Sequence, residues 1–510
     1  MIQSNEALQH KINILIRARY PLIYIISFEE ERVAVMLNSL ATMTEKKLLI
    51  WSTTEGFSDY SGKKVDGEAV DPFAALTFIV EYQRPAIILL KDFHPFMKDP
   101  VIIRKLRDMK VHLNRLRKTC FIVSPVLELP IELEKLMNVI DFDFPTVELL
   151  NSILDGIIGP LRENPKVDVH LSDDEREQVL KSALGLTLDE AENVFAKSLV
   201  EKQRFDPSVI IKEKEQIIRK SGILEYYHSS DQITDIGGLE FLKEWLSKRR
   251  KGFTEKARDY GLPFPKGLLL IGIPGTGKSL TAKAVASLWN LPLLRLDVGK
   301  VFGGIVGESE QNMRNAIKMA ESVSPSILWI DEIEKGFSGV QSSNQTDGGT
   351  TSRVFGTFIT WLQEKEKPVF VIATANVVSL LPPEILRRGR FDEIFFLDLP
   401  SRKEREDIFL IHIRKKGRDE SNFDLKTLVS LSEGYSGAEI EQTIISAMFE
   451  AFSENREVET TDIMNSIEDV VPLSKLMKEE ITELRTWSQS RARLASKLEE
   501  QKKHKIDIEI

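Results

Sequence analysis

A single cysteine, Cys120, occurs in 510 residues, and the seven histidines stand in no zinc-ligand spacing. That excludes a disulfide framework and a structural zinc site. Cys120 lies inside an apolar run, which predicts a buried, inert thiol; such usage fits a reducing compartment without establishing one. Long hydrophobic runs are also missing. The N-terminal one, Leu22 to Ile26, is followed at once by Glu29-Glu30-Glu31, and is neither a signal peptide nor a membrane span. An acid-poor transit segment rich in Ser and Arg is lacking as well, so the expectation is a soluble chain with no transmembrane segment. Positive charge is in deficit: a formal net charge of −9 and a pI near 5.6 argue against a general nucleic-acid binder.

What remains is an ordinary globular composition, 42% apolar and 29% charged, in a chain long enough for several domains. It is organised around one octet, Gly272-Ile273-Pro274-Gly275-Thr276-Gly277-Lys278-Ser279. The apolar run Leu268 to Ile271 precedes it and a helix-like stretch, Leu280 to Leu288, follows. Strand, phosphate loop and helix are thus in order. The glycines let the backbone aim N–H groups at phosphate oxygens, with a helix N-terminus behind them. Lys278 reaches the β- and γ-phosphates in such a loop, and Ser279 places its hydroxyl on Mg²⁺. The octet predicts binding of a nucleoside triphosphate.

Taken in order, the first 145 residues alternate buried-strand and helical signals, the strands being Leu22 to Ser27, Lys47 to Ser52, Ala86 to Leu90 and Cys120 to Val123. Runs that are apolar throughout suit a parallel sheet covered on both faces. The same pattern recurs in the second half. Pro85 to Phe93 parallels Pro325 to Glu332, Lys118 to Pro145 parallels Lys367 to Pro400, and the helical stretches Leu184 to Leu199 and Glu433 to Phe449 share a pattern. A tandem repeat of one module follows. Its first copy has Ser27-Phe28-Glu29-Glu30-Glu31-Arg32 where a glycine loop belongs, and Phe93 in place of the second carboxylate. Three carboxylates repel phosphate, so the first copy is expected to bind no ATP and to serve as scaffold or partner surface.

The chemistry gathers after the octet. Ile327 to Ile330 reads as a buried strand ending in Asp331-Glu332, at the sheet edge where open α/β sheets bind ligands. Asp331 is placed to hold Mg²⁺, and Glu332 to orient and deprotonate the attacking water. Val369 to Ala373 is the next buried strand, ending Thr374-Ala375-Asn376, whose amide can hold the water or a γ-phosphate oxygen. Leu386-Arg387-Arg388-Gly389-Arg390-Phe391-Asp392 follows, and its arginines either lie in solvent or face phosphate.

These motifs together resemble the AAA ATPases in the narrow sense. The likeness runs from Asp235-Ile236-Gly237-Gly238-Leu239 through the phosphate loop, Ser326 to Glu332, Asn376 and the Arg-Gly-Arg-Phe-Asp segment to Gly434-Tyr435-Ser436-Gly437-Ala438-Glu439. It implies an α/β fold: a parallel sheet with helices on both faces plus a helical lid, preceded here by the degenerate copy. By this resemblance Asp235 and Gly237 border the adenine, Asn376 is the first sensor, and Leu280 lies in the nucleotide-binding loop region. Arg387 and Arg390 are arginine fingers acting on ATP in the neighbouring subunit, His412 is a lid histidine near the ribose, and Ala438 lies where the lid approaches the nucleotide. The resemblance implies ATP and Mg²⁺ as cofactors and a homo-oligomeric ring, most often a hexamer. The sequence is also similar to AAA-type proteins of algal plastid genomes and cyanobacteria, which implies plastid stroma or bacterial cytoplasm.

One departure concerns the pore. Threading members carry a lysine and an aromatic where this chain has Gly304-Ile305 before Val306-Gly307-Glu308-Ser309-Glu310, which puts polypeptide translocation in doubt, although Phe302 is near enough to substitute. Ser338 to Thr351 is polar, a second pore loop or a surface turn. Lys98 to Lys118 carries eight basic residues, a solvated helical face or a nucleic-acid contact, and the four basic residues Lys248 to Lys251 are a second candidate for such a contact. Ile506, Ile508 and Ile510 alternate with acidic residues in a tail that frays or docks as an edge strand. The expected domains are 1–145 (degenerate α/β), 146–228 (helical lid-like region and linker), 229–400 (nucleotide-binding), 401–474 (helical lid) and 475–510 (C-terminal helix and tail). The expected function is a Mg²⁺-dependent ATPase that works in an oligomeric ring to remodel or regulate a protein partner; the alternatives are an ATP-switched regulatory scaffold and, after it, an ATPase acting on nucleic acid.

Overall fold

The apolar runs of the first half form the centre of a parallel sheet in the computed structural model, which describes residues 3–162, 167–220, 222–227, 232–302, 308–337 and 348–497. The strands Leu22–Ile26, Ala86–Lys91 and Thr119–Ser124 are buried almost throughout, as runs without polar alternation must be. Across the sheet the parallel strands lie in the order Met137–Asp141, Leu22–Ile26, Thr119–Ser124, Ala86–Lys91, Lys47–Ser52. An antiparallel pair, Gly56–Asp59 and Lys64–Asp66, extends the last edge. Helices Gln3–Arg17 and Glu30–Met43 cover one face through Ile12, Ile16, Val33 and Leu37, while Pro72–Glu81 and Pro100–Arg115 cover the other through Leu76, Ile79, Leu106 and Leu113. Cys120 is fully buried there, and burial pushes its thiol up to about 12, so it is inert at neutral pH.

The chain divides into two compact units, Met1–Lys214 and Glu215–Ile510. The division falls within the helix Pro207–Lys220. After the first sheet, the first unit continues as helices Val147–Leu161, Asp173–Ala183 and Leu188–Lys202. Ser172 caps the second of these, its hydroxyl accepting from the Glu175 N–H while the Glu175 carboxylate accepts from the Ser172 N–H, as the Ser-Asp-Asp-Glu sequence requires.

In the second unit the parallel strands run Glu393–Leu397, Gly267–Gly272, Val369–Ala375, Ser326–Ile330, Leu293–Leu296. Numbered along the chain, both units have the order 5-1-4-3-2, which is the repeat that the sequence predicts. Edge strands Leu224–Tyr227, antiparallel, and Arg493–Leu494, parallel, complete the sheet. Glu240–Arg250 and Lys278–Trp289 pack on one face, and Glu308–Ser322 and Gly348–Glu364 on the other. Helices Arg402–Lys415, Leu425–Leu431, Gly437–Ser453 and Thr460–Glu468 enclose a separate apolar core built on Phe409, Leu428, Ile444 and Ile463. No helix among the described residues is long and apolar enough to cross a membrane.

The matching sheets correct one alignment. Leu90, next to last in its strand, and Ile330, last in its own, each have the side chain in the core under the third and fourth helices, and Phe93 and Ile333 are buried in the same two cores. Asp92 and Glu332 both take a left-handed backbone, with φ of 48° and 51°. Asp92 therefore stands at the position of Glu332 and Lys91 at that of Asp331; Phe93 does not replace the second carboxylate. Gly304, Ile305 and the 338–347 part of the polar loop lie outside the described residues, as do Ile506, Ile508 and Ile510.

Candidate functional site

The loop begins where the buried strand Gly267–Gly272 reaches the sheet edge. Gly272 is obligatory there, because a Cβ would stand 2.2 Å from the carbonyl oxygen of Leu397 on the neighbouring strand. Gly275, at φ +79°, faces the lid, and a Cβ on it would meet Ser436 Oγ at 2.7 Å. Among the described residues no hydrogen bond occupies the backbone N–H groups of Gly275, Thr276 and Gly277. They join the unpaired N–H groups at the start of helix Lys278–Trp289, a cradle of donors for an anion. Thr276 Oγ1 closes the loop on Ile273 O at 2.8 Å, Pro274 is half-buried, and Leu280 packs on the helix side of the sheet.

Lys278 is 6% exposed and donates to Gly272 O and Ile273 O, both at 2.8 Å. Burial lowers its ammonium to about 8, against the opposing pull of Glu334, Asp331 and Glu332. A buried ammonium beside N–H donors that nothing else among the described residues occupies suits phosphate.

Asp331 leaves the end of strand Ser326–Ile330 and accepts through Oδ1 from Ser279 Oγ and from Thr374 Oγ1, each at 2.8 Å. The Thr374 hydroxyl also accepts from the Glu332 N–H at 2.9 Å, which fixes the left-handed residue. Glu332 Oε1 accepts from Asn376 Nδ2 at 2.9 Å, and its other oxygen pairs with Lys335. The residues read from the sequence as phosphate loop, metal ligands, base and sensor are thus brought together at one sheet edge. Sequence reasoning gave no role to Thr374, Glu334 or Ser436. Of these only the capping box Ser436-Gly437-Ala438-Glu439 carries a local signal, and the other two act by crossing between strands.

The lid closes one side. Ala438 N–H donates to Gly275 O at 3.1 Å, and a Cβ on Gly237 would lie 2.8 Å from Ile408 on helix Arg402–Lys415. Asp235 pairs with Lys415 of that helix at 3.4 Å. His412, on the same helix, lies 3.6 Å through Nδ1 from Glu441 Oε1, and burial pulls its imidazole below the ordinary range. Asp235, Gly237 and His412 therefore border one helix, and Ala438 touches the loop.

Arg387 and Arg390 are not brought to this edge. Lys266, just before the strand that feeds the loop, donates through Nζ to Gly389 O at 3.0 Å, and its own N–H donates to Asp392 Oδ2 at 2.8 Å. The strand between Lys266 and the loop has six residues, roughly 20 Å at about 3.3 Å per residue. The arginines thus lie at the opposite end of it. Arg387 is exposed, Arg390 has a buried Nε with no acceptor, and neither has an ion pair among the described residues.

Family comparison decides what this site belongs to. Residues 268–399 match the model of the ATPase family associated with various cellular activities (AAA), and 422–466 match the AAA+ lid domain. Residues 8–142 and 148–221 match the N-terminal and second domains of SpoVK-like AAA ATPases. The chain belongs to the AAA ATPase family. This AAA ATPase is 45% identical over 95% of its length to a protein of Guillardia theta described as uncharacterized AAA domain-containing protein ycf46, of which 95% is covered. The protein so described from Pyropia yezoensis is 44% identical, with 95% of this chain and 98% of that one covered. Similarity extends to the proteasome-activating nucleotidase of Saccharolobus islandicus, 30% identical over 71% of this chain and 88% of that one.

In the first unit of this AAA ATPase the corresponding turn is short, Ser27 to Glu29 between strand and helix. Glu29 accepts from the Leu188 N–H at 2.8 Å, at the start of a helix capped by Thr187 and Glu190 as Gly437–Ser453 is capped by Ser436 and Glu439. Its other oxygen pairs with Arg32 at 2.7 Å. Lys91, standing where Asp331 stands in the second unit, pairs with Glu30 at 3.3 Å and Glu31 at 2.7 Å. The signs are reversed: carboxylates on the turn, a cation at the strand end. Glu29, Glu30 and Glu31 line a cavity of about 570 Å³, and burial raises the carboxyls of Glu29 and Glu30.

Proposed function

We propose that this AAA ATPase is a Mg²⁺-dependent ATP hydrolase that works as a homo-oligomeric ring, a hexamer by family habit, and remodels or regulates a protein partner. The observation that carries the reading is the unbroken chain of contacts Ser279, Asp331, Thr374, Glu332, Asn376 beneath the glycine loop. The loop N–H groups and Lys278 hold the phosphates. Ser279 and Asp331 are the protein's ligands for Mg²⁺; two oxygens suffice, since this ion keeps waters and substrate oxygens, and no cluster of three or more ligating side chains occurs among the described residues. The bound ion supplies charge neutralisation on the phosphates. Glu332, oriented by the Asn376 amide, takes the proton of the attacking water. Asp235, Gly237, His412 and Ala438 form the nucleoside side of the site.

Arg387 and Arg390, a strand's length from their own loop, act on the site of the next subunit. In other phosphate-loop enzymes a finger supplied in trans raises turnover by roughly 10³ to 10⁵. The likeness to nucleotidases described as proteasome-activating supports a protein as the partner. The first unit binds no ATP and recruits that partner. Plastid stroma or bacterial cytoplasm is the setting that the algal relatives support.

Phosphate release from ATP, measured with Mg²⁺ and again after EDTA, tests the reading. Turnover that stops with EDTA and returns with Mg²⁺ is expected; no turnover in either buffer contradicts it. A second reading, an ATP-switched scaffold, draws on the first unit's lack of a phosphate loop and predicts binding with negligible turnover.

A further inference from the structure

Glu334 is the one carboxylate of the Asp331-Glu332-Ile333-Glu334 run with no part in the chemistry above. It sits in the short turn Ile333–Phe337 and is 4% exposed. Burying a carboxylate is unfavourable unless its oxygens are used. One is: Oε1 accepts from the Asn376 N–H at 2.8 Å. Oε2 is buried and has no hydrogen-bond partner among the described residues. Burial raises the carboxyl above its ordinary range, the Asn376 N–H and Lys278 opposing this and Glu332 adding to it. Asn376 is therefore gripped twice by one acidic run, by its main chain from Glu334 and by its side chain from Glu332 at 2.9 Å.

The two grips are mechanically one. Strand Val369–Ala375 ends immediately before Asn376, so no ladder bond follows it, and the Glu334 carboxylate is what the Asn376 N–H has instead. Without that acceptor the amide plane is free to turn, and the Asn376 side chain leaves Glu332.

We propose that Glu334 is a positioning residue, which holds the main chain of Asn376 so that its side-chain amide is kept on Glu332. The inference rests on the reading of Glu332 as the base, and it assigns Glu334 no contact with nucleotide.

The test uses the full chain and the variants Glu334→Ala, Glu334→Gln, Glu334→Asp and Asn376→Ala, with the double variant Glu334→Ala/Asn376→Ala. Glu334→Ala is expected to lower kcat roughly 10- to 100-fold while the affinity for a fluorescent ATP analogue changes less than about threefold, because the loop and Lys278 remain. Glu334→Gln keeps an acceptor and stays within about threefold of wild-type kcat; Glu334→Asp, one methylene short, falls between. The double variant loses no more than the worse single one, since both remove the same grip. Independently of turnover, amide exchange at Asn376 is expected to accelerate in Glu334→Ala. Should Glu334→Ala fail to fold, the contrast of Gln against Asp decides: a Gln variant as poor as Asp, or poorer, overturns the proposal. So do unchanged kcat in Glu334→Ala, or additive losses in the double variant. No turnover in the wild type overturns the ATPase reading, and this proposal with it; wild-type turnover with an unaffected Ala variant overturns this proposal alone.

Discussion

Asn376 Nδ2 donates to Glu332 Oε1 at 2.9 Å, joining the residue just past one buried strand to the second residue past its neighbour. Glu332 itself sits at φ +51°, a conformation that L-residues rarely adopt. The Thr374 hydroxyl holds it there from the side. Local strain at a carboxylate, fixed by contacts from Thr374 and Asn376, is the geometry that the proposed role of Glu332 as base requires.

Glu332→Gln is accordingly expected to keep ATP and lose turnover, by roughly 10²- to 10⁴-fold, since the amide preserves the Asn376 contact and removes the proton acceptor. Lys278→Ala is expected to lose affinity by about tenfold or more, because a charge-assisted contact from a buried ammonium is removed. Fluorescent-analogue binding alongside phosphate release separates the two. Equal hydrolysis in Glu332→Gln refutes the assigned base.

A second expectation concerns the first unit. Glu29 and Arg32 are a pair with side chains 9% exposed each, and Glu29 also takes the Leu188 N–H. Glu29→Ala leaves a buried guanidinium and an unpaired N–H, and should destabilise that unit by about 3 kcal/mol. Urea unfolding reads this as a lowered midpoint with ATP affinity unchanged. An unaltered midpoint would show the pair to be idle.

Much of this was legible in the residues. The glycine octet, the strand Ile327 to Ile330 and its acidic pair, and the runs at Leu22, Lys47, Ala86 and Cys120 all carry local signals, since buried parallel strands are apolar without interruption. The repeat was legible for the same reason. Met137–Asp141, half-polar at a sheet edge, was legible only through the parallel of Lys118 to Pro145 with Lys367 to Pro400, and the pair Gly56–Asp59 and Lys64–Asp66 was not legible. The roles of Thr374 and Glu334 depend on partners 43 and 42 residues away, which no spacing rule reaches. Pairing Pro85 with Pro325 and counting forward without a gap sets Asp92, not Phe93, against Glu332, and the shared left-handed backbone of Asp92 and Glu332 agrees.

Lys214 gives a pH prediction. It is 5% exposed and donates to Ser182 O at 3.3 Å, and burial lowers its ammonium to about 7. The unfolded chain, with lysine near 10.4, binds more protons between those values, so this residue makes stability rise as pH increases from about 7 to about 10. Lys214→Met removes that slope and should stabilise the fold at pH 7. Unfolding midpoints at pH 7 and pH 9.5 in both proteins check it; identical slopes contradict it.

The central claim is that the site is completed from a neighbouring copy, by arginines that lie a strand's length from their own phosphate loop. Steady-state ATPase rate per subunit, followed against protein concentration with mass measured in the same ATP-containing buffer, tests it most directly when Arg387→Ala is run beside the wild type. The account predicts a rate that rises as the ring assembles, and one at least about 10²-fold lower in an Arg387→Ala ring of equal mass. A concentration-independent rate from a monomer, unchanged by Arg387→Ala, would contradict it.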